Sequence, residues 1–157
     1  MRRGLPFALE VFAVVALAGC DSSPTTAPVT DIAKATFASS LGINLAAMTR
    51  LSDGLYYQDS PAGTGTSPVA GVKATVNYTG YLTNGTVFDS SVGKTPFQFT
   101  FGVGQVIAGW DQGLVGMRAG GTRTLIIAPS LGYGANANGP IPANSILVFT
   151  VTLVSVP

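Results

Sequence analysis

The 157-residue chain contains no histidine, one cysteine and few charged side chains. Without histidine, a Ser-His-Asp triad, a Cys-His dyad and a histidine-ligated zinc site are excluded. A single cysteine cannot form an intrachain disulfide or a multi-cysteine cluster. Charged residues make up 10% of the sequence, against about 25% in an ordinary domain. If the chain is an enzyme, we therefore expect a chemistry that does not depend on charge or on proton relay.

The charges are also balanced. Eight Lys and Arg residues face seven Asp and Glu residues, so the formal net charge is +1. The basic footprint of a nucleic-acid-binding protein is therefore absent, and we expect no nucleic-acid partner.

The N-terminus has the organisation of a secretory signal. Arg2 and Arg3 precede a mostly apolar run over residues 5–18, which is too short for a comfortable transmembrane helix. Leu17 to Cys20 (LAGC) resembles the bacterial lipobox, in which the cysteine is acylated and becomes the new N-terminus. We expect residues 1–19 to be a lipoprotein signal peptide and Cys20 to anchor the chain in the bacterial cell envelope, exposed outside the cytoplasm. A plain secretory signal with an incidental cysteine is the alternative.

Two segments separate this signal from the main domain. Residues 20–30 are rich in Ser, Thr and Pro and are typical of a flexible tether. Residues 31–53 are too apolar for a free linker, and we expect this N-terminal extension to pack on the domain or on a partner. Its apolar residues approximate helical spacing at first and then alternate as in a strand: Ile32, Ala35 and Ala38, followed by Leu41, Ile43 and Leu45.

From residue 54 onward the pattern predicts a β-rich domain. Apolar and polar residues alternate over 72–78, phenylalanines recur with period two over 97–101, and Asn84-Gly85 predicts a tight turn. The predicted strands begin at or cover Leu55–Tyr57, Val72–Tyr78, Phe97–Phe101, Thr122–Ala128 and Ser145–Val156, and the predicted turn joins Tyr81-Leu82 to Val87-Phe88.

One segment has helical spacing instead. Its apolar positions are separated by three, four and three residues, and they are Ile107, Trp110, Leu114 and Met117. Gly109 and Gly113 interrupt this helix, which should be held by packing against the concave side of the sheet. Asp111 and Gln112 are expected on its solvated face. The predicted fold class is α+β, with an antiparallel β-sheet of about five to six strands wrapped around one short α-helix.

Seven blocks occur in order along the second half of the chain: VNYTGYL from Val76, NGTVFDSS from Asn84, PFQF from Pro96, GQVIAGWDQGL from Gly104, GYG from Gly132, IP from Ile141 and LVF from Leu147. In order and spacing they resemble the FKBP family, the macrolide-binding peptidyl-prolyl isomerases. The resemblance covers most of residues 54–157, which we assign as the isomerase domain.

The resemblance implies an aromatic-lined pocket. Its floor would be Trp110, and its polar rim Asp89 and Tyr133. In the family, the hydroxyl at the Tyr133 position and the backbone N–H at the Ile107 position donate to ligand carbonyls. Asp89 could orient Tyr78, stabilise charge or cap a turn. The implied catalytic residues are Tyr78, Phe88, Asp89 and Tyr133, and the implied substrate-binding residues are Phe97, Val106, Ile107, Trp110, Ile141 and Phe149.

The implied activity is cis-trans isomerisation of X-Pro bonds in exported proteins. Twisting the amide destroys its resonance, which gives a barrier of about 18–20 kcal/mol, but it transfers no proton. The resemblance therefore implies no metal and no cofactor. The expected partners are proline-containing polypeptides, macrolides of the tacrolimus or rapamycin type and, through Cys20, the membrane; the chain is expected to be a monomer.

Two other hypotheses stay open at this point. The pocket could bind proline-containing segments without turnover, as a chaperone or scaffold module. Alternatively, residues 31–51 could form the partner site of an interaction protein. Leu131 stands where the family often has an aromatic residue, and Pro140 replaces an apolar one, so the preference for the residue before proline is left open.

Overall fold

The computed structural model describes residues 30–157. The predicted signal peptide and Cys20 lie outside the described residues, as does the tether apart from Thr30. Within residues 30–157, no helix combines the length and the apolar character needed to cross a membrane.

The described residues form one seven-stranded antiparallel sheet and one short α-helix. The strands run in the spatial order β1-β2-β6-β7-β3-β4, and β5 also pairs with β3. The elements are β1 Thr49–Ser52, β2 Leu55–Asp59, β3 Lys73–Leu82, β4 Val87–Ser90, β5 Phe97–Thr100, α1 Ala108–Gly113, β6 Thr122–Ile127 and β7 Leu147–Ser155.

The predicted α+β class is confirmed, while the number of strands is larger than the five to six expected. The additional edge strand is β1, which pairs with β2 through Arg50 and Tyr56. Its four residues belong to the extension and are all exposed, so they lack the alternation of apolar and polar residues by which a half-buried strand is predicted.

Strands β4 and β5 share one edge of the long strand β3. Thr79 pairs with Ser90 of β4, and Val76 pairs with Phe97 of β5. Ser91 occupies the gap between the two strands, where its N–H donates to the Tyr78 carbonyl (3.0 Å) and its Oγ accepts from the Tyr78 N–H (2.9 Å). Tyr78 is therefore fixed between β4 and β5.

Helix α1 approaches the inner face of the sheet at its two glycines. A Cβ atom on Gly109 would lie 2.5 Å from Ile127 Cγ2, and one on Gly113 would lie 2.7 Å from Leu125 Cδ2. The residues that weaken the helix therefore permit its close packing, which buries Trp110. Of the four apolar positions with helical spacing, Ile107 is the N-cap residue and Met117 follows the helix, which ends at Gly113.

The extension covers the outer face of the sheet. Ile126 and Val148 point to this face, because their neighbours along β6 and β7 belong to the inner core. Ile32, which is fully buried, packs against them with Met48. The remaining side chains of this outer cluster are Ala35, Phe37, Leu41, Ile43, Leu45, Tyr56, Tyr81, Ala128 and Ile146.

The strand-like alternation of Leu41, Ile43 and Leu45 does not correspond to a strand in the structure. These residues lie in and between two 3₁₀ turns, Ser39–Leu41 and Leu45–Ala47. Gly42 takes a left-handed φ of +60°, and the Asn44 side chain accepts from the Ala46 N–H. Because both residues favour turns, the chain bends although its apolar residues alternate.

Arg123 is a buried cation at the end of helix α1. It forms a bidentate ion pair with Asp59 (Nε to Oδ1 2.6 Å, Nη2 to Oδ2 2.8 Å). Its Nη1 donates to the carbonyls of Gly113 (2.8 Å) and Val115 (2.9 Å), and its guanidinium lies 4.2 Å from the centroid of the Tyr57 ring. The positive charge thus faces the negative end of the helix.

Candidate active site

A cavity of about 420 Å³ opens where helix α1 faces the strands β3, β4, β5 and β7. Nine of the ten residues that the resemblance assigned to the pocket line this cavity, and Ile141 is the exception. Gln105 also lines the cavity, although the resemblance did not assign it to the site. The lining residues are Tyr78, Phe88, Asp89, Phe97, Gln105, Val106, Ile107, Trp110, Tyr133 and Phe149. The structure thus brings these side chains together, and the roles assigned to them stay predictions.

Trp110 forms the floor and is 4% exposed. Its ring meets those of Tyr78 (centroids 5.2 Å apart, 83°) and Phe149 (5.3 Å, 84°) edge to face, the arrangement that the aromatic quadrupole favours. Phe97 and Phe99 flank it at 6.2 and 5.7 Å. Its buried Nε1 has no hydrogen-bond acceptor among the described residues.

Tyr78 and Asp89 form the polar side of the cavity. The Tyr78 hydroxyl donates to Asp89 Oδ2, and Asp89 Oδ1 accepts from the Ser90 N–H at 2.8 Å. Asp89 therefore orients Tyr78, which is one of the alternatives left open by the sequence, whereas in the following turn it is Ser90 Oγ that accepts from the Val92 N–H at 3.1 Å. Burial of the phenol, and then the bond to Asp89 and its negative charge, raise the pKa of Tyr78 well above its usual range. Tyr78 is therefore a neutral donor at ordinary pH.

Two further donors lie at the cavity. Neither the Tyr133 hydroxyl nor the Ile107 N–H donates to any group within residues 30–157. The loop of Tyr133 is fixed on either side, because the N–H groups of Gly132 (3.0 Å) and Gly134 (2.8 Å) both donate to the Pro129 carbonyl. Both donors can therefore meet ligand carbonyls without breaking a bond inside the described fold.

Ile141 lies in the inner core rather than at the cavity. It is 4% exposed and forms an isolated β-bridge with Asn138, with N···O distances of 2.9 and 3.0 Å. Its side chain packs in the inner cluster with residues such as Leu147 and Phe149. Its contribution to the site is to support the loop between β6 and β7.

Two polar residues before and within helix α1 were missed. Gln105 Oε1 accepts from the Thr100 N–H at 2.6 Å. Asp111, expected on a solvated face, is half-buried, and its carboxylate accepts from the N–H groups of Gly102 and Gly104. The glycines at 102 and 104 were a usable signal, because such residues bring backbone N–H groups close to an anion.

Comparison with known proteins identifies relatives of this fold and site. A family model of FKBP-type peptidyl-prolyl cis-trans isomerases matches residues 65–154. An FK506-binding protein of Neisseria meningitidis is 50% identical over 105 residues, which are 66% of this chain and 96% of that protein. FK506-binding protein 4 of Mycosarcoma maydis is 47% identical over 108 residues, which are 69% of this chain and 29% of that protein.

Solved structures show the same similarity. FkpA from Escherichia coli has a TM-score of 0.65 and 38% identity, covering 75% of this chain and 55% of FkpA. AtFKBP13 has a TM-score of 0.61 and 41% identity, covering 64% of this chain and 91% of AtFKBP13. The chain spans 29% of the FK506-binding protein 4 sequences of Mycosarcoma and Dictyostelium, and nearly all of the Neisseria protein.

Proposed function

Because the chain belongs to the FKBP-type peptidyl-prolyl cis-trans isomerase family, we propose that it rotates X-Pro bonds in the cavity floored by Trp110. The observation that carries this proposal is the aromatic cavity itself, which joins Tyr78, Asp89 and Tyr133 at one opening. The proposed substrates are proline-containing segments of exported proteins. Macrolides of the tacrolimus type are the proposed small-molecule ligands, as the names of the relatives suggest.

The chemistry requires only differential binding. In the twisted amide the carbonyl loses dipolar character, so this state loses less than the planar amide on leaving water. An apolar site can therefore favour it by desolvation. Donors such as the Tyr133 hydroxyl and the Ile107 N–H would hold the chain beside the turning bond. An acceleration of about 10⁴ needs only about 5.4 kcal/mol of preferential binding.

The test is a proline-isomerisation assay on the purified protein, with and without tacrolimus. We expect wild type to accelerate the slow phase, and Tyr133→Phe and Asp89→Val to be impaired. Tyr56→Phe is the matched control, because it removes the same hydroxyl from the outer face of the sheet. No acceleration with several residues before proline would exclude the enzyme. Binding of proline peptides without acceleration would instead support the proline-binding module.

The hypothesis of a partner surface at residues 31–51 receives no support from the fold, because Ile32 and Met48 are buried in the chain's own outer cluster. Deleting this extension would decide the point: loss of binding to a partner protein, with the isomerase activity intact, would restore that hypothesis.

We also propose that a lipid on Cys20 anchors the domain in the bacterial envelope, on the non-cytoplasmic side. The support is the LAGC pattern that ends at Cys20. The test is membrane fractionation of wild type and Cys20→Ala, with the isomerase activity of each fraction measured. We expect the activity to leave the membrane fraction in the variant. Retention of Cys20→Ala in the membrane would exclude this anchor without affecting the proposed activity.

A further inference from the structure

The loop between β5 and α1 supplies one wall of the cavity through Gln105, Val106 and Ile107. Backbone hydrogen bonds hold its two ends: Phe101 bonds with Gly71 and Val72, and the Ile107 carbonyl accepts from the Trp110 N–H, whereas the middle of the loop lacks such support. Within residues 30–157, none of the N–H groups of 102–107 donates to a backbone carbonyl. Gly102 and Gly104 adopt left-handed φ values of +71° and +75°. The position of this wall therefore depends on side chains that bind the loop backbone.

One carboxylate makes two of these contacts. Asp111 Oδ1 accepts from the Gly102 N–H at 2.9 Å, and Oδ2 accepts from the Gly104 N–H at 2.8 Å. Hydrogen bonds to an ionised acceptor are stronger than neutral ones. Glycine adopts the left-handed conformation without steric cost, so Gly102 and Gly104 allow the loop to turn until both of their N–H groups reach the same carboxylate.

Asp111 is also placed to link the loop to the floor. It follows Trp110 directly in helix α1, and that helix is fixed on the sheet at Gly109 and Gly113. The carboxylate thus connects a rigid element that carries the floor with a loop that carries the wall. Asp111 itself does not line the cavity.

We propose that Asp111 is a positioning residue that holds the 101–107 loop in its binding conformation. This inference rests on the proposed isomerase function of the same cavity. Without the carboxylate, the loop must be ordered when substrate binds, and the lost conformational freedom opposes binding. The substrate contacts in the bound complex stay the same, so the effect falls on KM and not on kcat.

The experiment compares Asp111→Ala and Asp111→Asn with Gln112→Ala, a matched control on the exposed side of the same helix. A Leu-Pro tetrapeptide serves as substrate. For Asp111→Ala we expect KM to rise roughly tenfold and kcat to stay within about twofold of wild type. Asp111→Asn keeps one acceptor and should give a smaller rise, while Gln112→Ala should match wild type.

Amide hydrogen exchange of Gly102 and Gly104 provides a readout that is independent of activity. Both amides should lose protection in Asp111→Ala, while the amides of β6 and β7 keep theirs. Unchanged exchange at Gly102 and Gly104, or an unchanged KM, would overturn the proposal. If Asp111→Ala does not fold, the same two readouts are taken from Asp111→Asn. A wild type without isomerase activity would refute the proposed function, and the exchange result would then still test the contact.

Discussion

The hydroxyl of Tyr78 on β3 donates a hydrogen bond to the carboxylate of Asp89 on β4, at the polar side of the cavity. The phenol is desolvated by burial and faces a negative charge, so its pKa is raised well above its usual value of about 10. Deprotonation would place two negative charges side by side. The hydrogen bond therefore requires the neutral phenol, and the pair keeps this arrangement throughout the neutral and mildly alkaline range.

This pair predicts an alkaline loss of stability that Tyr78→Phe should lack. Above about pH 10 the phenol ionises in the unfolded chain but stays protonated in the folded one. The folded state then binds more protons, so the free energy of unfolding falls as pH rises, whereas the contribution of Tyr78 is complete below pH 10. Urea unfolding at pH 8 and pH 10.5 should show a steeper fall for wild type than for Tyr78→Phe. Equal slopes would contradict the raised pKa.

Gly80 is required by the rings that pack on it. A Cβ atom there would lie 2.5 Å from Phe88 Cε2 and 2.9 Å from Phe149 Cε1. Gly80→Ala should therefore displace Phe88, lower the free energy of unfolding by about 1–3 kcal/mol and impair isomerisation. Leucine lacks the ring atoms of Phe88 that the new Cβ would contact. Adding Phe88→Leu should therefore restore the free energy of unfolding but not the isomerase activity. Denaturant unfolding of the single and double variants measures this coupling. If the losses of unfolding free energy in the two single variants simply add in the double variant, the contact is contradicted.

The strands of the inner core could be predicted because their residues alternate. Val76 and Tyr78 are spaced by two and lie on the same face of β3, and Asn84-Gly85 closes the β3–β4 hairpin as expected. Phe97 and Phe99 also share a face, yet Phe97 lines the cavity at 39% exposure and Phe99 is 2% exposed. Periodicity assigns a face to a residue but not its depth in the packed structure.

The parts of the site that could not be predicted depend on contacts between distant or irregular segments. Asp111 was assigned to solvent by its place on the helix, whereas the returning loop brings Gly102 and Gly104 to it. The resemblance alone assigns Ile141 to the pocket. In the structure its backbone forms a β-bridge with Asn138, and its own side chain packs in the inner core. In both cases the backbone path of a loop, which has no period, decides where the side chain lies.

Arg123 should contribute to stability through its ion pair and through its bonds to two backbone carbonyls. Arg123→Met would leave the Asp59 carboxylate without its ion pair and the carbonyls of Gly113 and Val115 without their donor. We expect a loss of about 3–5 kcal/mol, as for other broken buried pairs. Arg123→Lys keeps the charge but cannot reproduce the planar fork, so its loss should be intermediate. Thermal and urea unfolding measure these values; a loss below about 1 kcal/mol for Arg123→Met would show that the pair is not stabilising.

The extension should stabilise the fold without contributing to the cavity. Ile32 is fully buried against Ile126 and Val148 on the outer face of the sheet, opposite to the face that carries Trp110. Ile32→Ala should therefore cost about 2–5 kcal/mol of unfolding free energy. The control is Leu51→Ala, at a side chain 49% exposed, which should stay within about 0.5 kcal/mol of wild type.

The activity of the same variant tests whether the two faces of the sheet are independent. Under conditions where Ile32→Ala is fully folded, its kcat/KM should equal that of wild type, since no atom of the cavity lining changes. Circular dichroism identifies a temperature at which both proteins are fully folded, and the isomerisation assay is run at that temperature. A reduced kcat/KM in fully folded protein would mean that the extension shapes the site through the sheet, because β6 and β7 carry both the outer cluster and the core behind the cavity.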